Sequence, residues 1–176
     1  MRSLVLVVIL LLFSSFPGCL DSIAVNDTIE PEEDVEPPVE QSELPEPFLA
    51  TECLNGHSNL AMHIHPSLSI QIENTTYSVA ADVGIDTETC PSAMHVAHTH
   101  DDSGKIHVET HEPANVTLGI FTEIWGILFD ETQFGPYQVN ETHELVMTVD
   151  GVVSEDWGDH VFSDGESILI HYRERQ

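Results

Sequence analysis

On either side of Asp101-Asp102-Ser103-Gly104 the chain alternates residue by residue: AHTH runs into the tetrapeptide and KIHVETH runs out of it. Alternation of this kind marks a β-strand with one face on a core, because successive side chains on a strand point to opposite sides. Asp, Ser and a closing Gly supply turn hydrogen bonds and a position that tolerates positive φ, so the segment reads as a β-hairpin. A four-residue loop sets the register, with His100 opposite Lys105 and His98 opposite His107. Ala97, Thr99, Ile106 and Val108 then share the core face, and His98, His100, His107, Glu109 and His111 share the other. That second face is built almost wholly from groups able to bind a metal ion.

Residues two apart on one strand lie roughly 6–7 Å apart on the same face. Two imidazoles at that spacing converge on one ion through bonds of about 2.0–2.1 Å. His98-x-His100 is one such pair, and the facing strand brings His107 beside it. Glu109 is placed either to complete the shell or to accept a hydrogen bond from a ligand ring. His63-x-His65 is a second pair, on another strand. A polar face turned to water is the competing account of a single pair. Two pairs plus His-x-Glu-x-His in one domain favour the ion, held by His98, His100, His107 and Glu109 with His63 or His65. Imidazoles with a carboxylate suit zinc, copper, nickel and iron alike, and affinity order favours copper, so the expected cofactor is copper or zinc. Met62 and Met94, next to His63 and His95, are either soft partners for reduced copper or ordinary core filling. His143, His160 and His171 stand alone and read as surface or core histidines, while the pattern leaves His57 and His95 unassigned.

Around the hairpin the periodicity predicts an α+β fold. Leu68, Ile70 and Ile72 alternate with polar residues, and a Glu73-Asn74-Thr75 turn leads on to Tyr77 and Val79, which makes a second hairpin. Pro66 separates His63 and His65 from it by an edge or a bend. Leu118, Phe121, Ile124, Trp125 and Leu128 fall at helical spacing, with Thr117 as N-cap and Gly126 as stop. ELVMTVDG and VFSDGESILIHY give two late strands joined by a loop around Trp157. The expected architecture is a small mixed or antiparallel sheet with one short helix; a β-sandwich is the alternative. Hairpin, helix, then strands ending in Asp-Gly-Glu-Ser-Ile-Leu-Ile resembles the β-grasp arrangement of ubiquitin-like domains, with the His-rich hairpin inserted before the helix.

The first fifty residues belong to something else. Residues 1–19 carry one Arg and an apolar run from Leu4 to Phe13, well short of the ~20 residues a spanning helix needs, so they read as an export signal. Phe16-Pro17-Gly18-Cys19 resembles the lipobox of bacterial and archaeal lipoproteins, which implies lipidation of Cys19 and anchorage to the outer face of the cytoplasmic membrane; an uncleaved signal anchor, or a cleaved signal without lipid, is the alternative. Residues 20–50 are rich in Glu, Asp and Pro and lack Lys and Arg. Such a stretch buries too little apolar surface to offset chain entropy, so it reads as a tether, leaving 51–176 as the domain. The net charge of −27, with only four Lys and Arg, excludes a nucleic-acid partner, since phosphate binding needs clustered cations. Asn26, Asn74, Asn115 and Asn140 each begin an Asn-x-Ser/Thr acceptor, which in an exported chain points to glycosylation. Cys53 and Cys90 remain as a pair and favour a disulfide in an oxidising compartment; thiolate ligation is the competing use.

Three further resemblances bear on function. Cys90 and His95 are spaced like part of the cupredoxin ligand loop, which implies blue copper. His-x-His followed by Glu and His is similar in part to cupins and α-type carbonic anhydrases, which implies a metal-dependent hydrolase or hydratase as an alternative to metal binding alone. Most extensive is the run His63-Ile64-His65, Val83-Gly84-Ile85, Cys90, His98 to Glu109 and Phe121 to Gly126. It resembles a group of uncharacterised exported bacterial and archaeal domains sharing His-x-His, then His-Thr-His-Asp-x-Ser-Gly-x-Ile-His-Val-Glu, then Ile-Trp-Gly. That likeness groups the residues and implies no particular reaction. The expectation is a membrane-tethered protein that captures, stores or delivers copper or zinc, with an unidentified protein as recipient. A cell-surface adhesion module whose histidines are incidental is the third possibility.

Overall fold

The computed structural model describes residues 46–176, so the expected signal, Cys19, Asn26 and most of the tether lie outside it. A helical turn α1 (Glu46–Leu49) and strand β1 (Cys53–Leu54) lead to β2 (Met62–Ile64), β3 (Ser67–Ile72) and β4 (Thr75–Tyr77). Then come β5 (Met94–His95), β6 (Ala97–His98), β7 (His107–Thr110) and helix α2 (Leu118–Trp125). β8 (Phe129–Asp130), β9 (Gln133–Phe134) and β10 (Tyr137–Gln138) precede β11 (His143–Val149), β12 (Val152–Ser154), a 3-10 turn at Trp157–Asp159 and β13 (Ser167–Glu174). Among the described residues no helix is long and apolar enough to cross a membrane.

The main sheet has five strands in the order β12-β11-β13-β3-β4. It is mixed, because β13 runs parallel to β3 and antiparallel to β11. Alternation in three strands explains its core face: Leu68, Ile70 and Ile72 lie beside Ile168, Ile170 and Tyr172, which lie beside Val149, Met147 and Leu145. All but Val149 are buried, each contributing about 1.5–3 kcal/mol of gross burial free energy. The β3–β4 hairpin forms as its pattern predicts. The late strands number three rather than two, because Asp150-Gly151, at φ +51° and +79°, folds β12 back on β11. Asp-Gly between apolar runs is a strong hairpin signal.

Helix α2 also follows its expected caps. The Thr117 hydroxyl accepts a hydrogen bond from the Ile120 amide, and Gly126 closes the helix in the left-handed region at φ +74°. Leu118, Ile120 and Phe121 join the same core as the sheet. Leu128, expected on the same stripe, falls beyond the Gly126 stop and is exposed. The aromatic stretch after the helix forms the three-stranded sheet β10-β9-β8. Leu49 and Ala50 are also buried in the core, just ahead of the expected boundary at 51.

The His-rich hairpin forms a separate three-stranded sheet, β2-β7-β6. Its loop is docked on the main sheet, where the Leu68 amide donates to the Gly104 carbonyl at 2.8 Å. Gly104 sits at φ +85°, and a Cβ there would overlap the Leu68 carbonyl oxygen. Beside this sheet, β1 pairs with β5, and Cys53 and Cys90 are joined in a disulfide. That bond removes the thiolate that a cupredoxin-like centre or a thiolate metal ligand at either cysteine requires. Asn74, Asn115 and Asn140 are all exposed.

Candidate metal centre

The expected register holds for His98 and His107 but not at the turn: the strands stop there, and Lys105 bridges Ser67 of β3 instead of pairing with His100, which lies just beyond β6. His98 pairs with His107 across β6 and β7, and the rings stack with centroids 5.5 Å apart. Ala97, Ile106 and Val108 on the opposite face are fully buried, as is Thr99. β2 then adds to the far edge of β7 and sets His63 opposite Glu109. A nonlocal pairing thus brings His63-x-His65 to the same face as the hairpin histidines.

Two groups of three imidazoles result, and they share a member. His98, His100 and His107 each offer a ring nitrogen, and these lie within 4.8 Å of one another; so do those of His63, His65 and His107. Three ligand nitrogens bound to one ion at about 2.0–2.1 Å lie about 3.3–3.6 Å from one another. Closing by at most about 1.5 Å, within reach of side-chain rotation, therefore suffices. His100 and His63 are exposed and free to make that adjustment, whereas His98 is wholly buried and sets the position of the group.

His98 is already prepared as a ligand. Its Nδ1–H donates to the His95 carbonyl at 3.0 Å, which leaves a lone pair on Nε2. Nε2 is buried and has no hydrogen-bond partner among the described residues. Burial pushes the imidazole down to about 4, against the smaller opposing effects of the His95 carbonyl and the Glu109 carboxylate; His100 and His107 add to the lowering. The ring is therefore neutral at ordinary pH, the form that binds metal. His107 is lowered too, first by desolvation and then by His100 and His65. Neither ring nitrogen of His107 makes a hydrogen bond among the described residues.

Glu109 lies outside both groups. Its side chain is 3% exposed, accepting from His57 Nδ1 at 2.6 Å and lying 3.1 Å from His63 Nε2. Placed against two imidazoles in this way, it is positioned to orient them instead of completing a shell. The ligand-bearing face is accordingly not open to water throughout, since both His98 and Glu109 are buried on it. On the other strand end, the His65 amide donates to Asp164 Oδ1 at 2.9 Å, and that carboxylate lies 3.9 Å from the His65 ring.

His57 is the participant that pattern reading left unassigned. It lies four residues after Cys53, and the disulfide to Cys90 ties that segment beside the hairpin. The expected Cys53–Cys90 pairing was the signal that could have placed it. His95 is excluded as a ligand: Nδ1 donates to the Ala50 carbonyl at 2.9 Å and Nε2 accepts from the Thr87 hydroxyl at 2.8 Å. His111 belongs to neither group. His143 stacks on Tyr172, His160 bonds Glu166, and His171 donates to the Glu73 carbonyl, all within the scaffold. Met62 packs against the core. A surface cavity of about 650 Å³ between Phe129 and Asp159 includes none of these histidines.

No protein family, curated protein or solved structure matches the chain.

Proposed function

We propose that this protein captures a transition-metal ion, copper or zinc, at the outer face of the cell. The ion is held by His98, His100 and His107, and Glu109 fixes the neighbouring rings. The observation that carries the reading is the His98 ring: a buried imidazole with one nitrogen bound to backbone and the other unpartnered toward two more imidazoles. An unpaired buried acceptor is costly unless something occupies it, and a metal ion accounts for it directly. Three imidazoles suit both copper and zinc and leave coordination positions for solvent or for a ligand of a receiving protein. Lipidated Cys19 and the acidic segment 20–50 tether the domain to the membrane, and the exposed Asn74, Asn115 and Asn140 carry glycans. The five-stranded sheet is a β-grasp sheet, with β3 and β4 as its first hairpin and β13 parallel to β3 at its centre; β2, β6 and β7 are the insertion that carries the metal.

The test is metal content. The untagged full chain isolated from its own host is expected to carry a tightly bound copper or zinc ion, and His98→Ala with His100→Ala to lose it while the far-UV spectrum is unchanged. Metal-free wild type, or a double variant that keeps the ion, would refute the proposal.

A further inference from the structure

We infer that the array takes a second metal ion, held by His63, His65 and His107, so that the His107 ring bridges two ions. The inference rests on the metal-capture reading above and adds to it a site and a shared ligand.

Three observations point the same way. First, His63, His65 and His107 present their nitrogens within the same 4.8 Å limit as the group around His98. Second, the outer residues lie beside carboxylates: His63 Nε2 is 3.1 Å from Glu109, and the His65 backbone amide donates to Asp164. A carboxylate beside a metal-bound imidazole commonly orients it. Third, His107 stands at the middle of the array, its centroid 4.8 Å from His100 and 4.7 Å from His65, with ring planes at 75° and 89°. A histidine serving a single ion commonly donates its other N–H to a protein acceptor. His98 has such a bond, and neither ring nitrogen of His107 has one among the described residues. A ring with neighbours on two sides and neither nitrogen held by protein is free to use both.

The charge balance is straightforward. When the second ion binds, the proton on the remaining His107 nitrogen leaves to solvent, and the resulting imidazolate places one negative charge between two cations. Glu109 adds a second negative charge next to them, in a chain whose net charge is already −27. The remaining positions on both ions are left to solvent.

Copper titration of the chelator-stripped, untagged full chain tests this, followed by electron paramagnetic resonance. The expected result is two Cu(II) per chain, with the isolated signal of the first ion diminished by the second as their spins couple through the ring. His65→Ala alters a partly exposed residue beyond the end of β2, and it is expected to bind one Cu(II) with an isolated signal at every loading. His107→Ala is expected to abolish the coupling. One Cu(II) in the wild type, or two whose signals stay independent, overturns the bridge and leaves the capture reading intact; so does a His65→Ala variant that still holds a coupled pair. No bound copper at all overturns both.

Discussion

The lowered basicity of His98 ties the candidate centre to the stability of the metal-free chain. In the unfolded chain an imidazole takes up its proton near 6.5, whereas folded His98 refuses one until about 4. Between those values the unfolded state binds more protons, so stability rises with pH and falls as the solution is acidified. Buried His95 and the partly buried His107 are lowered as well and act in the same direction. Among the groups facing His98, the His95 carbonyl and the Glu109 carboxylate favour protonation, and His100 and His107 oppose it. Urea unfolding of the chelator-treated chain is expected to show stability declining from pH 6.5 to pH 5, with a shallower decline in His98→Gln; equal slopes would contradict the account. His98, His100 and His107 were legible from spacing because strict alternation determines which side chains share a face, although the expected four-residue loop gives way to a longer connection docked on β3. His57 was not, since its position depends on a disulfide and a turn far from the motif. Glu109 was legible as a participant but not as a brace, because that role depends on which imidazoles reach its two oxygens.

Strand by strand, the local hairpins could be read and the distant pairings could not. β3–β4 and β6–β7 follow from turn residues and alternation over a few positions. The addition of β2 to β7 and of β13 to β3 joins segments far apart in sequence, and no residue in one strand announces its partner in the other. β12 is a different case: Asp150-Gly151 carries the signal, but the following Val152 and Val153 are exposed and do not alternate with respect to a core. The loop between β6 and β7 is the joint between the two sheets, and Gly104 is the residue it cannot exchange. Gly104→Ala forces a side chain into the left-handed region and against the Leu68 carbonyl, which is expected to destabilise the fold by about 1–3 kcal/mol. Chemical denaturation measures this directly, and a change too small to detect would show that the loop is not held as described.

For the molecule as a whole, the disulfide is the clearest lever. Cys53 and Cys90 close a loop with a sequence separation of 37, and restricting the unfolded chain over that length is worth about 4 kcal/mol. Replacing both cysteines with serine is expected to lower stability by that order and to release the segment that carries His57 onto Glu109; a double variant with unchanged urea midpoint would count against it. The parallel pairing of β13 with β3 has a different consequence. The strand at the middle of the main sheet follows every other described strand in the chain, so a ribosome releases it after all its neighbours. Until it emerges, β3 and β11 have no common partner, and the apolar rows they carry stay uncovered. Closure of this fold is therefore a late event in biosynthesis, and the emerging chain must be shielded from aggregation until its central strand arrives.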